Sequence, residues 1–303
     1  LASESLLEFV RLTAGAPRRR VVDAASAQAV AAVQRAGVAV VLLKGPSIAS
    51  WLYGPEEPRW YNDCDLLVRE RDLVIAGGVL EGLEYRRRPN PPDDPALLAD
   101  VHSIVWTRAH DDAAVELHWT LVGLAASPQL VWDTLSGETV PVTVDGVGTR
   151  ALGEAARALH LALHLAQHGC ATPQPTEDLR RGIERLEYGV WLAARARSAR
   201  LGGDSAFAAG LRALPSGAEL AARLALPPAE TYWTMRAQSA PRGALRLRQL
   251  RDAHGWRERW LFLSEGLSRY REFSKERHVS GLARLRSSAT DLVAAVRALR
   301  RSN

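Results

Sequence analysis

The chain has 303 residues, 47% of them hydrophobic and 24% charged, with a formal charge of +5; that balance suits one large or two ordinary soluble domains with a real core. No window approaches the roughly 18 uncharged apolar residues of a membrane span, and Leu1 to Ser5 lacks the basic and apolar pattern of a secretion signal. Only Cys64 and Cys170 are cysteines, which points to a cytoplasmic chain without structural disulfides.

Taken in order, periodicity predicts helices at 3–13 and 21–36, a strand at 38–43 and a helix at 46–53. A strand at 63–68, a helix at 70–81 and a strand at 83–88 follow, then a Pro- and Asp-rich loop at 89–95. Strands at 102–108 and 113–119 precede a short helix at 128–135 and a hairpin, 138–144 and 147–151, turning at Asp145-Gly146. After Gly153 the pattern is helical nearly throughout. The expected architecture is α+β: a small mixed sheet with helices over residues 1–150, then an all-helical part over 151–303.

The most telling residues lie between 44 and 68. An apolar run ends at Lys44-Gly45, and Pro46 suits the first turn of a helix because its missing N–H costs nothing there. Backbone N–H groups at that helix start, with the Ser47 hydroxyl, offer an anion site. Downstream, Asp63 and Asp65 are two apart in a strand, so both carboxylates take one face. Two carboxylates there repel unless a cation separates them, and Mg²⁺ held by carboxylates and substrate phosphates does so. A phosphate cradle beside an acidic pair points to phosphoryl or nucleotidyl transfer.

Lys44-Gly45, Ser47, Arg59 and Asp63-Cys64-Asp65-Leu66-Leu67-Val68 resemble the DNA polymerase β type nucleotidyltransferase superfamily, above all its uncharacterised branch with a Lys-Gly motif. There is some likeness to the AbiEii-like branch. Val115-Glu116-Leu117-His118-Trp119 is similar to the strand bearing the third carboxylate, and Leu161 to Gly169, with His164 and His168, to the helix that opens the helical half. The four blocks keep the family's order across roughly residues 35 to 190. One departure is Leu179-Arg180-Arg181-Gly182-Ile183-Glu184, where the family has Leu-Arg-Trp-x-x-Asp; roles for Arg180 and Glu184 are weakened accordingly.

The resemblance implies that Asp63, Asp65 and Glu116 hold two Mg²⁺ (or Mn²⁺) ions, with Glu116 also the candidate general base. Lys44, Gly45, Ser47, Arg59, His118, His164 and Arg180 are the expected nucleotide-binding residues. Lys44 and Arg59 either neutralise the triphosphate or hold the acidic loop. Each has a plain structural alternative: Ser47 as a helix-start residue, His118 as a packed histidine, and His160, His164 and His168 as a buried stripe. Trp60, beside the acidic loop, could stack a base. Only Lys44 and Lys275 are lysine, and the arginine-rich remainder fits a GC-rich genome, a phosphate or nucleic-acid surface being the alternative. The implied reaction moves an NMP from an NTP to a small molecule or peptide and releases pyrophosphate. A tRNA acceptor, as in toxin-like relatives, and a non-catalytic nucleotide-binding protein are the alternatives.

Overall fold

Seven short strands line up in one mixed sheet in the computed structural model, which describes residues 2–54, 57, 59–88, 102–253 and 255–256. The expected loop at 89–95 and the arginines from 284 to 301 lie outside the described residues. The strands are β1 (Val41–Leu42), β2 (Cys64–Leu67), β3 (Arg86–Arg87), β4 (Ser103–Arg108), β5 (Ala113–His118), β6 (Thr139–Val144) and β7 (Val147–Leu152), in the order β3-β4-β5-β2-β1-β7-β6. β2 runs parallel to β5 and β1 parallel to β7; the other neighbours are antiparallel. The β6–β7 hairpin turns where predicted, with positive φ at both Asp145 (43°) and Gly146 (80°), as a type I′ turn requires.

Period-two alternation splits the apolar residues between two cores. Leu42, Cys64 and Leu66 face α1 (Ala2–Arg35) and α3 (Leu73–Gly82), where Ala25, Ala29, Val33, Ala76 and Leu80 complete one cluster. Val41, Leu43 and Leu67 point the other way, into the cluster shared with α2 (Pro46–Leu52), α4 (Pro128–Ser136) and α5 (Glu154–His168). A buried side chain of this kind contributes about 1.5–3 kcal/mol. Asp65, between Cys64 and Leu66, falls on the α5 side for the same reason.

The helices beyond are α6 (Pro173–Arg185), α7 (Tyr188–Arg200), α8 (Asp204–Arg212), α9 (Pro215–Arg223), α10 (Thr231–Ala237) and α11 (Arg242–Asp252). α5 is their hub: it packs on α6, α7, α8 and α10, and Ala155 to Leu163 are all buried. Gly169 ends it with φ +82°, and an added Cβ would fall 2.2 Å from Ser239 Oγ.

One expectation fails. The two N-terminal helices are a single helix, α1, running through the break expected between 13 and 21. Tertiary contacts override the local Gly-Pro signal: Arg18 donates to the Asp111 and Asp112 carbonyls at the β4–β5 turn, at 2.8 and 2.6 Å, and Arg19 donates to the Tyr61 hydroxyl.

Candidate active site: a carboxylate trio facing a histidine helix

The register of β2 on β5 pairs Asp65 directly with Glu116. Neighbouring strands lie about 5 Å apart, so the pairing alone sets these carboxylates side by side. Asp63, just before β2, joins them: one carboxylate oxygen from each of Asp63, Asp65 and Glu116 lies within 4.8 Å of the others. Like charges this close need a counter-charge.

Part of it is present. Lys44 Nζ sits 2.8 Å from Asp65 Oδ1, and His118 Nε2 is 3.0 Å from the same oxygen. Burial alone would raise the Asp65 pKa, but Lys44 and His118 outweigh it and hold the carboxyl well below the usual range. Among the described residues Asp63 makes no ion pair, and Lys44 offsets the neighbouring charges only in part. The Asp65 charge, then burial, pushes it up to about 6. Burial works against the Lys44 ammonium, yet Asp65, Glu116 and Asp63 together raise its pKa. Asp65 Oδ2 remains buried without a hydrogen-bond partner. A carboxylate with one orphaned oxygen, clustered with two further carboxylates, is a donor set that fits a hard divalent cation.

Gly45 closes the turn after β1 with φ +60°, and its Cβ position lies 3.4 Å from the Tyr61 ring. A side chain there would touch the ring at ordinary contact distance, but the left-handed backbone would strain it. Arg59 reaches away from the carboxylates. Its Nε donates to both Asp178 oxygens, at 2.9 and 3.1 Å, and its Nη2 to Oδ2 at 2.6 Å. Asp178 also accepts from the Tyr53 hydroxyl at 2.6 Å and from Gln174 Nε2 at 2.9 Å. This buried fork ties the loop before Asp63 to α6.

The carboxylate trio, Lys44, Gly45 and Arg59 line a cleft of about 520 Å³ between sheet and helices. Lys44, Gly45, Arg59, Trp60, Asp63, Asp65, Glu116 and His118 form one wall. His160, His164 and His168 form the other, successive ring centroids being 5.9 and 4.7 Å apart. Burial, then the Lys44 charge, lowers the His160 pKa to about 3 and drives His164 well below its ordinary value. The helical wall is therefore polar but uncharged at neutral pH.

Two expected residues are not brought to the cleft. The Ser47 hydroxyl is buried and donates to the Leu43 carbonyl at 3.3 Å, while the Ser47 N–H donates to the Lys44 carbonyl. Its position in the first turn of a seven-residue helix turns both donors inward. Arg180 lies on the outer face of α6, paired with Glu177 at 2.7 Å and with Glu184. Asp178 and His102, which also lines the cleft, were missed. Asp178 carried a signal: with Pro175, Leu179 and Gly182 it marks the buried stripe of α6, where an unpaired acid is costly.

The sequence matches the family model described as "Uncharacterised nucleotidyltransferase" over residues 10–215. No curated protein matches it. Among solved structures, the solution structure of the antibiotic-resistance factor ANT(2'')-Ia is similar, with 12% identity, a TM-score of 0.41, and coverage of 59% of this chain and 95% of that one. An antigenic nucleotidyltransferase-like protein from Paracoccidioides brasiliensis is also similar, at 13% identity and a TM-score of 0.41, covering 72% of this chain and 96% of that one. With the family match spanning more than half of its length, the chain belongs to the uncharacterised nucleotidyltransferase family and is a transferase.

Proposed function

We propose that the protein transfers a nucleoside monophosphate from an NTP to a hydroxyl or phosphate of a small molecule or peptide, in a reaction dependent on Mg²⁺ or Mn²⁺. The observation that carries this reading is the carboxylate trio with its orphaned Asp65 Oδ2. Asp63, Asp65 and Glu116 would hold the ions. Bound there, divalent ions neutralise the phosphates and make the acceptor hydroxyl more acidic.

The chain's own residues do the rest. Lys44 and His118 keep Asp65 ionised and aimed into the cleft. Arg59, fixed by Asp178, holds the loop that delivers Asp63, and Trp60 stands where a base could stack. Glu116 accepts the acceptor's proton as its oxygen bonds to the α-phosphorus; the bond to the bridging oxygen breaks and pyrophosphate leaves. Lys44 is paired with Asp65 and Arg59 with Asp178, so both charges are already engaged, and divalent ions held by the trio would supply charge neutralisation for the triphosphate. In this reading residues 1–150 carry the catalytic groups, and the helical part that follows supplies the facing wall through α5 and the start of α6.

The test is to incubate the protein with each NTP, Mg²⁺ and cell extract, and to follow labelled products by mass spectrometry. Asp63→Asn and Asp65→Asn should then abolish transfer and weaken metal-dependent NTP binding without loss of fold by circular dichroism. Wild-type turnover by either variant would overturn the assignment. Nucleotides added to a tRNA end would move the protein to the tRNA-modifying alternative, and NTP binding with no product in any extract to the non-catalytic one.

A further inference from the structure

A second donor set touches the carboxylate trio and shares one of its members. His102 Nε2 lies 3.9 Å from Glu116 Oε1, and His118 Nε2 lies 3.6 Å from Glu116 Oε2. One ligand atom from each of the three residues falls within 4.8 Å of the others. In a tetrahedral site with bonds of about 2.0–2.2 Å, ligand atoms sit roughly 3.3–3.5 Å apart. The two histidines approach different Glu116 oxygens, so closing the set onto one ion draws the ligand atoms together from separations of up to 4.8 Å, a movement of up to about 1.5 Å.

The surroundings favour it. β4 pairs antiparallel with β5 and puts Ser103 opposite His118, and the Ser103 hydroxyl donates to Glu116 Oε1. That contact orients the carboxylate as an outer-shell partner would. Ligation through Nε2 of the buried His118 would put the ring proton on Nδ1, which has no acceptor, a cost the metal bond has to offset. Ligation would cost the hydrogen bond from His118 to Asp65, but Asp65 keeps Lys44 at 2.8 Å. Two imidazoles and one carboxylate suit Zn²⁺, whereas Mg²⁺ demands oxygen ligands.

We propose that His102, Glu116 and His118 form a site for Zn²⁺ or a similar transition-metal ion, and that its occupancy withdraws Glu116 from nucleotidyl transfer. The binding site stands on the geometry alone. The inhibition rests on the role given to Glu116 above.

Isothermal titration with ZnCl₂, and visible absorption with CoCl₂, test this on the full chain, on His102→Ala and on Asp63→Asn. One Zn²⁺ should bind per chain, and Co²⁺ should give the intense visible bands of a tetrahedral ion. His102→Ala should weaken Zn²⁺ at least about 100-fold, keep Mg²⁺-dependent NTP binding and lose the Co²⁺ bands. Asp63→Asn should keep Zn²⁺ affinity within a few-fold. Unchanged Zn²⁺ affinity in His102→Ala, or its loss in Asp63→Asn, would place the ion in the carboxylate trio and overturn the proposal. Zn²⁺ should also stop pyrophosphate release by the wild type at concentrations that leave His102→Ala active. Equal inhibition of both would overturn the regulatory role while leaving the transferase reading intact.

Discussion

Arg59 and Asp178 stand 119 residues apart in the chain and meet in a two-pronged ion pair, both almost fully buried. The pair joins the loop in front of Asp63 to helix α6 across the cleft. Breaking a buried pair from one side strands a charge and costs about 3–5 kcal/mol, whereas replacing both partners with apolar groups is often nearly neutral. Asp178→Ala is therefore expected to destabilise the chain by that amount in urea denaturation. The double change Arg59→Leu with Asp178→Leu should recover more than half of the loss. A single variant within 1 kcal/mol of wild type would mean that the loop is held by something else.

Glu116 separates binding from chemistry. Glu116→Gln keeps size and hydrogen bonding but removes the charge proposed to accept a proton. NTP affinity should change little while the maximal transfer rate falls at least about 100-fold. Lost affinity with an intact rate would make Glu116 a binding residue instead.

His160 should leave a mark on acid stability. Its pKa is about 3 in the folded chain against an ordinary 6.5, so below pH 6.5 the unfolded chain binds a proton that the folded one refuses. Its stabilising share is thus fully present above pH 6.5 and is lost as pH falls toward 3, at about 1.4 kcal/mol per unit. Between pH 7.5 and 5, His160→Gln should lose about 2 kcal/mol less stability than wild type. Parallel losses in the two proteins would show that the imidazole is not kept neutral.

RNA binding should be weak and should vanish near physiological salt, with NTP binding nearly unchanged over the same range. A protein that grips tRNA neutralises many phosphates and loses roughly one logarithmic unit of affinity per contact for each tenfold rise in salt. Here several arginines of the helical half are already engaged: Arg181 and Arg185 with Glu57, Arg180 with Glu177 and Glu184, and Arg197 with Glu138. Tight binding of one tRNA that survives high salt, measured by filter retention, would reverse the preference for a small acceptor.

What could be read from the residues was what local chemistry dictates. Strand alternation placed β2 and β5, turn chemistry placed the β6–β7 hairpin, and ordered motifs located Asp63, Asp65, Glu116 and the histidine helix. Long-range pairing was not legible. Nothing near Arg59 announces that its partner is Asp178 rather than a phosphate, and nothing near His102 shows that its ring comes within 3.9 Å of the Glu116 carboxylate. Ser47 took the helix-start role that was its structural alternative, through local bonds to the Leu43 and Lys44 carbonyls, whereas the unbroken α1 was not legible because tertiary contacts decided it. The anchoring of Arg18 on the β4–β5 turn is one such contact.

The pairing of Asp65 with Glu116 also bears on which length changes the gene can tolerate. Main-chain hydrogen bonds, not side chains, hold these two positions level. Adding or deleting one codon inside β5 ahead of Glu116 would swing that carboxylate to the opposite face, onto Leu66 and the α1 core, in a single step. Codons gained or lost between Val68 and Ala113, outside the strands, leave the alignment untouched. Length variation among descendants of this gene should therefore gather in that interval and spare the few residues on either side of Glu116.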